Sequence, residues 1–215
     1  QIYPSGEQGQ NHPLFVIANS WNDIRLGATL ENILKRYEHP LLEHYFLKNG
    51  LGGTPGMQDH IYDRRTNAIA APKGTQYVGI RQGVMLRTRS SVKENPYLAY
   101  SSLSLENVAS KMSYPWIKVA EVLFCRAEGA LRGWNMGGTA QEFYEAGIRR
   151  GFSDIGEVGK YFSYKEKTSV KDVDYVDYFD QDNNIEGRVN VGVKWDESDD
   201  KELKLEKIIT QKWIA

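Results

Sequence analysis

Two consecutive stretches with helical periodicity, separated by a glycine pair, constrain the fold of this chain more than any other feature. The first runs from Ser113, the expected N-cap, through Pro115 in the first turn to Trp134, and the second follows the turn at Gly137 and Gly138. Two amphipathic helices joined by so short a turn predict an αα-hairpin. The apolar positions are Trp116, Val119, Ala120, Leu123, Ala127, Ala130, Leu131 and Trp134 in the first helix, and Phe143, Tyr144, Gly147, Ile148 and Phe152 in the second.

The second helix carries its own start signal. Thr139 stands three residues before Glu142, which is the spacing of a capping box. Alanines on the first helix face the large rings of Phe143 and Tyr144 on the second, an arrangement typical of tetratricopeptide hairpins. No second copy is visible at that repeat's period of about 34 residues, so the sequence predicts a single such hairpin.

Three further helices are predicted. Apolar spacing favours a helix from about Ala28 that ends before Pro40, because the residue before a proline resists the helical conformation. A short helix is expected at Leu41 to Phe46. The chain closes with a helix from Glu202 to Ala215, capped by Asp199 and Asp200.

The remaining segments predict irregular structure. The opening stretch 1–22 is rich in Gly, Pro, Asn and Gln, and 49–73 contains too many glycines and prolines for a helix. Patchy alternation predicts one or two short strands in 76–89 and a further strand at 189–195, while 160–188 is expected to be a loop.

The predicted fold is therefore mainly α, a tetratricopeptide-like helical hairpin scaffold with long loops and a few short β-strands. A chain of 215 residues suits one domain of that size or two small ones packed together. We expect residues 1–215 to form a single domain.

Charge and composition exclude several functional classes. Lys and Arg number 27 against 28 Asp and Glu, so no overall field recruits nucleic acid or an anionic membrane. No apolar run approaches the roughly 18 residues that a membrane span needs. Cys125 is the only cysteine, which excludes an internal disulfide, and its place beside the apolar stripe predicts a buried thiol.

Enzymatic signatures fail. The glycines of 50–55 miss the dinucleotide-binding fingerprint, and 151–156 misses the nucleophile elbow by one residue. Glu121 and Glu128 lie about 10.5 Å apart along a helix, too far for a glycosidase pair, and ion pairs with Lys118 and Arg132 are the simpler interpretation. We expect no catalytic residue.

The case for a metal site is weak. None of the four histidines lies three or four residues from another, so zinc is not expected. Asp180, Asp182 and Asn184 place oxygen ligands at alternate positions, but Ile185 and Val191 stand where an EF-hand needs Gly and Glu. A calcium loop of another kind and a solvated acidic turn both remain open. No metal or cofactor is assigned.

Loop aromatic residues are the best candidates for a binding surface. The chain has 25 aromatic residues, of which 13 are Tyr. A glycan site needs a flat aromatic platform with hydrogen-bonding neighbours, presented by loops on a rigid base. We therefore predict that Tyr77, Tyr62 and Arg81 contact a glycan, together with Trp21 if the opening segment folds back onto the helices.

Three ordered motifs resemble a known family. Tyr114 to Ala130 (YPWIKVAEVLFCRAEGA) resembles the signature helix of the SusD/RagB family of outer-membrane nutrient-binding lipoproteins. Phe143 to Ile148 (FYEAGI) and Ile208 to Ala215 (IITQKWIA) are similar to its next two motifs, in the same order. Glu38 to Phe46 is similar to the family's acidic-Pro-Arg-Leu segment, although His39 and Leu42 replace its usual Asp and Arg.

The resemblance implies a lipid-anchored protein on the bacterial cell surface that binds oligosaccharide or other nutrients without catalysis. It implies a TonB-dependent transporter of the SusC type as partner, with no nucleic-acid partner and with the membrane reached only through a lipid anchor that this chain lacks. Family members are longer, so the chain is expected to be a fragment without the N-terminal half and the extreme C-terminus. A tetratricopeptide-type protein interaction scaffold is the alternative, and a helical hydrolase is a third.

Overall fold

The computed structural model describes residues 13–52, 59–84, 96–106 and 115–215. The chain divides into two compact units. Unit 1 consists of Gln1–Tyr114 and Asp172–Arg188, and unit 2 of Pro115–Lys171 and Val189–Ala215. That residues 1–215 act as one domain stays a prediction.

The described part of unit 1 begins with helical structure where the sequence predicted an irregular segment. α1 (Pro13–Val16) continues as a π-helical turn, Ile17–Trp21, and ends at Asn22 in the left-handed conformation. The irregular prediction is therefore wrong for 13–21, because the short apolar run PLFVIA there outweighs its polar neighbours. Residues 1–12 lie outside the described part of the chain.

The next two helices confirm the prediction. α2 (Ala28–Tyr37) ends where Glu38 adopts a left-handed φ of 50°, two residues before Pro40. α3 (Leu41–Tyr45) follows directly. α2 buries Ile33, Leu34 and Tyr37.

A small hairpin lies inside the predicted loop 49–73. β1 (Ile61–Tyr62) pairs antiparallel with β2 (Ile69–Ala71), so the loop interpretation is wrong there. In contrast, the described part of 76–89 contains an isolated bridge between Ile80 and Gly27 instead of a strand, and residues 85–89 are not described. The hairpin's inner face joins a buried cluster consisting of Ile61, Ala71, Val78, Ala99, Tyr100 and Phe179.

Three hydrogen bonds, two of them buried, hold Asp172–Arg188 onto the rest of unit 1. The Arg36 guanidinium donates to the Val173 carbonyl at 2.8 Å. The Tyr175 hydroxyl donates to the Gly79 carbonyl at 2.7 Å, and the Tyr100 hydroxyl to the Asp177 carboxylate at 2.9 Å. This tyrosine-rich segment is therefore packed structure rather than free loop.

Unit 2 is built on the predicted αα-hairpin of α4 (Val119–Leu131) and α5 (Ala140–Asp154). The capping box of Thr139 and Glu142 is present, and the whole predicted stripe of α5 is buried. α4, however, begins at Val119 with Lys118 in an extended conformation, not at Ser113, which lies outside the described residues. Trp116, 79% exposed, is therefore not part of the core.

Two more helices complete unit 2. α6 (Val158–Tyr164) occupies the start of a segment predicted to be a loop, which corrects that prediction. α7 (Lys201–Ile214) is capped as predicted by Asp200, whose carboxylate accepts from the Leu203 amide at 2.8 Å. The expected strand at 189–195 does not form, although alternate side chains there are buried. The Val193 and Lys194 amides both donate to the Lys167 carbonyl, which is not part of a strand.

The described residues contain seven α-helices and one two-stranded sheet, so the mainly α prediction is confirmed. The α4–α5 pair supplies the tetratricopeptide-like element. Among these helices, none combines the length and the apolarity that a membrane span requires.

Candidate functional site

Tyr62 lies on β1, on the opposite side from the buried Ile61. Successive strand residues point to opposite faces, which leaves the Tyr62 ring half-buried. The His60 ring meets it edge-on, with ring centroids 6.3 Å apart. Tyr62 is thus half-buried on the hairpin, and its contact with a glycan stays a prediction.

Tyr77 lies in the segment after β2 and faces α2 and α3. Lys35 of α2 donates to its backbone carbonyl at 2.8 Å. Burial and, to a smaller extent, the Glu43 carboxylate of α3 raise the pKa of the Tyr77 phenol. The ring is half-buried, so it combines a packing role with an accessible edge.

Arg81 reaches the acidic turn at 180–183. Its guanidinium donates to the Asp182 carbonyl at 3.4 Å. Arg64 and Arg65, which follow Tyr62 in the hairpin loop, pair with Asp180 and Asp182 at 2.6 Å each. The structure thus brings Arg81 and the hairpin loop to one turn, whereas the contacts of Tyr77 lead to α2 and α3.

Trp21 ends the π-helical turn, and the structure describes its backbone only. The prediction that its side chain joins the site lies outside the described part of the chain. Asn22, the next residue, is described and bonds to Arg25 through its side-chain oxygen at 3.1 Å.

The candidate calcium ligands are engaged by protein groups. Asp180 and Asp182 carry the ion pairs with Arg64 and Arg65, and the Arg64 hydrogen bond lowers the pKa of Asp180. The side-chain oxygen of Asn184 accepts from the Asp177 amide at 2.8 Å. The two guanidinium groups already supply the positive charge that a bound cation would bring to these carboxylates.

Sequence reasoning missed a cavity in unit 1 of about 390 Å³. Three separate segments form it, at 18–24, 47–52 and 102–106, and we call it the Ser102 cavity. Its size falls within the range of small-molecule sites, about 300–1,000 Å³. The alternation of Ser and Leu at 102–105 is the one local signal that points to it. The lining residues are Ala18, Asn22, Ile24, Leu47, Leu51, Gly52, Ser102, Leu103, Ser104, Leu105 and Glu106.

Ser102 is the unusual member of this lining. Its side chain is 5% exposed, and its hydroxyl has no hydrogen-bond partner in the described structure. The hydroxyl lies where Gly52 has no side chain, since a Cβ there would be 1.7 Å from it. A buried hydroxyl without a partner is costly, and such groups are rare in folded proteins.

Unit 2 offers weaker candidates. Cys125 is exposed, so the predicted buried thiol is wrong, and the Lys212 ammonium donates to its sulfur at 3.3 Å. Glu128 pairs with Arg132 at 2.7 Å, as the sequence suggested. Across the described chain, no group of three His, Cys, Asp or Glu side chains could hold a metal ion.

Residues 4–215 match the model of the SusD-like family, which is described as the SusD and RagB outer membrane lipoproteins. No curated protein matches the chain.

Several solved structures are similar. A chitin-binding SusD homologue from Flavobacterium johnsoniae is 34% identical, with a TM-score of 0.72 over 97% of this chain and 37% of its own. A SusD-like protein from Bacteroides thetaiotaomicron is 30% identical, with a TM-score of 0.72 over 95% of this chain and 37% of its own. A SusD homologue from Bacteroides vulgatus is 27% identical, with a TM-score of 0.74 over 97% of this chain and 37% of its own. The chain thus spans little more than a third of their length.

Proposed function

Because the chain belongs to the SusD-like family of outer membrane lipoproteins, we propose that it is part of a cell-surface protein that binds glycans for nutrient uptake. The observation that carries the proposal is the 34% identity with a chitin-binding homologue over 97% of this chain. Identity at this level over so long an alignment supports a shared binding role.

The half-buried aromatic residues of unit 1 support this role. Tyr62 and Tyr77 each combine a ring face with a polar tip, which suits a sugar that is apolar on its CH faces and polar at its edges. Arg81 supplies a charged hydrogen-bond donor near the hairpin loop, and one of its N–H groups already bonds to the Asp182 carbonyl at 3.4 Å. We propose these three residues, with Trp21, as contacts to the glycan.

We further propose a TonB-dependent transporter of the SusC type as partner, and binding without catalysis. Family membership supports both. Glu128, one of the two carboxylates weighed as a catalytic pair, is held in an ion pair with Arg132 at 2.7 Å.

The test is titration calorimetry of the chain, in its full-length protein, against a panel of neutral oligosaccharides and peptides. Tyr62→Ala and Tyr77→Ala should each weaken glycan binding about 5- to 150-fold, as expected for an aromatic platform worth about 1–3 kcal/mol. Phe162→Ala is the matched control, because Phe162 is an exposed aromatic residue of unit 2. If both tyrosine variants stay folded and bind every ligand as tightly as wild type, these rings serve packing only.

A protein interaction scaffold is the second candidate function. Unit 2 exposes large apolar side chains near and on its helices, among them Trp116, Ile117 and Trp213. Such groups are common in protein contacts. Chemical cross-linking on intact cells would distinguish the two: enrichment of a TonB-dependent transporter supports nutrient uptake, whereas other partners without glycan binding would support the scaffold.

A further inference from the structure

Lys35 of α2 connects the half-buried Tyr77 to a buried carboxylate. Its ammonium group donates to the Tyr77 carbonyl at 2.8 Å and pairs with Glu31, one turn earlier on α2, at 2.5 Å. The Glu31 side chain is 2% exposed, whereas that of Lys35 is 31% exposed. Lys35 thus links a charge inside unit 1 to the backbone of a residue that reaches the surface.

Both oxygens of the Glu31 carboxylate serve the same short segment. Oε1 accepts from Lys35, which holds the Tyr77 carbonyl, and Oε2 accepts from the Gly79 amide at 2.5 Å. The segment also lies close against the start of α2, since a Cβ atom at Gly79 would be 2.7 Å from the Gly27 carbonyl oxygen. One buried side chain therefore anchors the backbone on both sides of residue 78.

The peptide group between Tyr77 and Val78 is held at two points. Lys35 bonds to its carbonyl, and its N–H donates to the Ser101 hydroxyl at 2.9 Å. A peptide group is planar, so holding these two atoms constrains its orientation and, with it, the direction of the Tyr77 side chain. The bond to Ser101 is buried, whereas the bond to Lys35 comes from a half-buried side chain.

Stability alone does not explain the ion pair behind this arrangement. Replacing a buried ion pair by uncharged side chains of similar size often leaves stability unchanged, because removing both charges from water offsets much of their attraction. In contrast, a side chain that binds a ligand keeps its geometry only if the groups behind it hold it in place. The Glu31–Lys35 pair is placed to provide such support for Tyr77.

We propose that Lys35, held by Glu31, is a positioning residue for Tyr77. It fixes the Tyr77 peptide group and thereby the orientation in which the ring covers the apolar face of a sugar. Lys35 and Glu31 do not touch the glycan and act on its affinity through Tyr77. This inference rests on the proposed glycan-binding function and names the groups that prepare one of its contacts.

The test is a double-mutant cycle on the full-length protein, measured by titration calorimetry. Its probes are cellotetraose, maltotetraose and tetra-N-acetylchitotetraose. Glu31→Gln combined with Lys35→Met, the paired variant, removes both charges together, and the new amide oxygen can still accept from the Gly79 N–H. Lys35→Met alone is a second variant, because Glu31, whose pKa burial already raises, can then take up a proton.

We expect the paired variant to bind about three- to tenfold more weakly than wild type, the effect of one lost hydrogen bond. Added to Tyr77→Ala, the same substitutions should cause no further loss, because the ring that they position is gone. A direct contact or a general loss of structure would instead weaken binding in both backgrounds. Lys48→Met removes an exposed lysine of unit 1 and is the control, which should change neither affinity.

The other outcomes separate this inference from the proposed function. If Tyr77→Ala weakens binding and the paired variant does not, the positioning role is overturned and the glycan contact stands. Equal weakening with and without the Tyr77 ring also overturns the positioning role. If Tyr77→Ala binds as tightly as wild type, the contact itself is wrong, and the inference with it. No binding of these probes, nor of any panel glycan, would overturn both.

Amide hydrogen exchange tests the support without any ligand. The Val78 amide shares its peptide group with the Tyr77 carbonyl, so it should exchange at least about threefold faster in the paired variant. Mass spectrometry of peptides that contain residues 76–80 measures this change, and peptides from unit 2 should show none. Unchanged exchange at 76–80 would overturn the inference, because the ion pair would then not hold the segment.

Discussion

The ring of Phe124 on α4 fills the space that a side chain at Gly147 on α5 would occupy. A Cβ atom at position 147 would lie 2.9 Å from two ring carbons, closer than carbon atoms approach in a packed core. The two helices of the hairpin therefore pack with a ring against a bare backbone.

This contact makes Gly147→Ala destabilising although alanine is the better helix former. The helix preference favours alanine by about 1 kcal/mol, whereas overpacking costs about 1–3 kcal/mol. We expect a net loss in the free energy of unfolding, measured by urea denaturation. Gly159→Ala on α6 is the matched control, because a Cβ there meets no atom within 4 Å, and it should stabilise the chain.

The second prediction concerns the centre of the α4 core. Phe124 is fully buried and Leu123 only half-buried. Phe124→Ala should cost about 3–5 kcal/mol through the cavity it leaves. The sequence pattern placed Leu123 in the same apolar stripe, but Leu123→Ala should lower the free energy of unfolding clearly less. If urea denaturation gave the same decrease in the free energy of unfolding for both variants, α4 would pack through a different face.

Local signals explain which elements the sequence could predict. α5 was predictable because Thr139, Glu142 and the apolar stripe all act within one helix. The start of α4 was not: proline favours a first helical turn, but a bend follows Pro115, and Lys118 is extended before the helix begins at Val119. The match to the family model over residues 4–215 confirms the resemblance first indicated by motifs in α4, α5 and α7.

The site was less accessible to sequence reasoning. Tyr62, Tyr77 and Arg81 were predicted from their place in loops, but the partner of Arg81, the Asp182 carbonyl, lies 101 residues further along the chain. The Ser102 cavity combines three segments that only tertiary packing brings together. Strands of two and three residues, as in β1 and β2, carry too few alternations to be recognised.

The third prediction is that calcium does not bind at the acidic turn. Asp180 and Asp182 already pair with Arg64 and Arg65 at 2.6 Å, and a cation would have to displace both guanidinium groups. Millimolar calcium should leave the thermal midpoint of the wild-type protein unchanged, in comparison with magnesium at the same ionic strength. A calcium-specific rise of several degrees would identify the turn as a binding loop.

The last prediction uses two carboxyl groups whose pKa values move in opposite directions. Burial raises the pKa of Glu31 above its usual value, and the pairing with Lys35 at 2.5 Å only partly offsets this. A hydrogen bond from Arg64 lowers the pKa of Asp180. The folded state thus binds the Glu31 proton more tightly than the unfolded state does, and the Asp180 proton less tightly.

The signs of the stability changes follow from this difference. The contribution of Glu31 is fully present below its unfolded pKa of about 4.5 and declines as pH rises through the higher folded value. The contribution of Asp180 is present above its unfolded pKa of about 3.8 and is lost as pH falls. Free energies of unfolding measured from pH 3 to 7 should show the wild-type advantage over Glu31→Gln shrinking with rising pH, and that over Asp180→Asn growing. If the difference in the free energy of unfolding between wild type and variant changed with pH in the same direction for both variants, either the burial of Glu31 or the pairing of Asp180 with Arg64 would be contradicted.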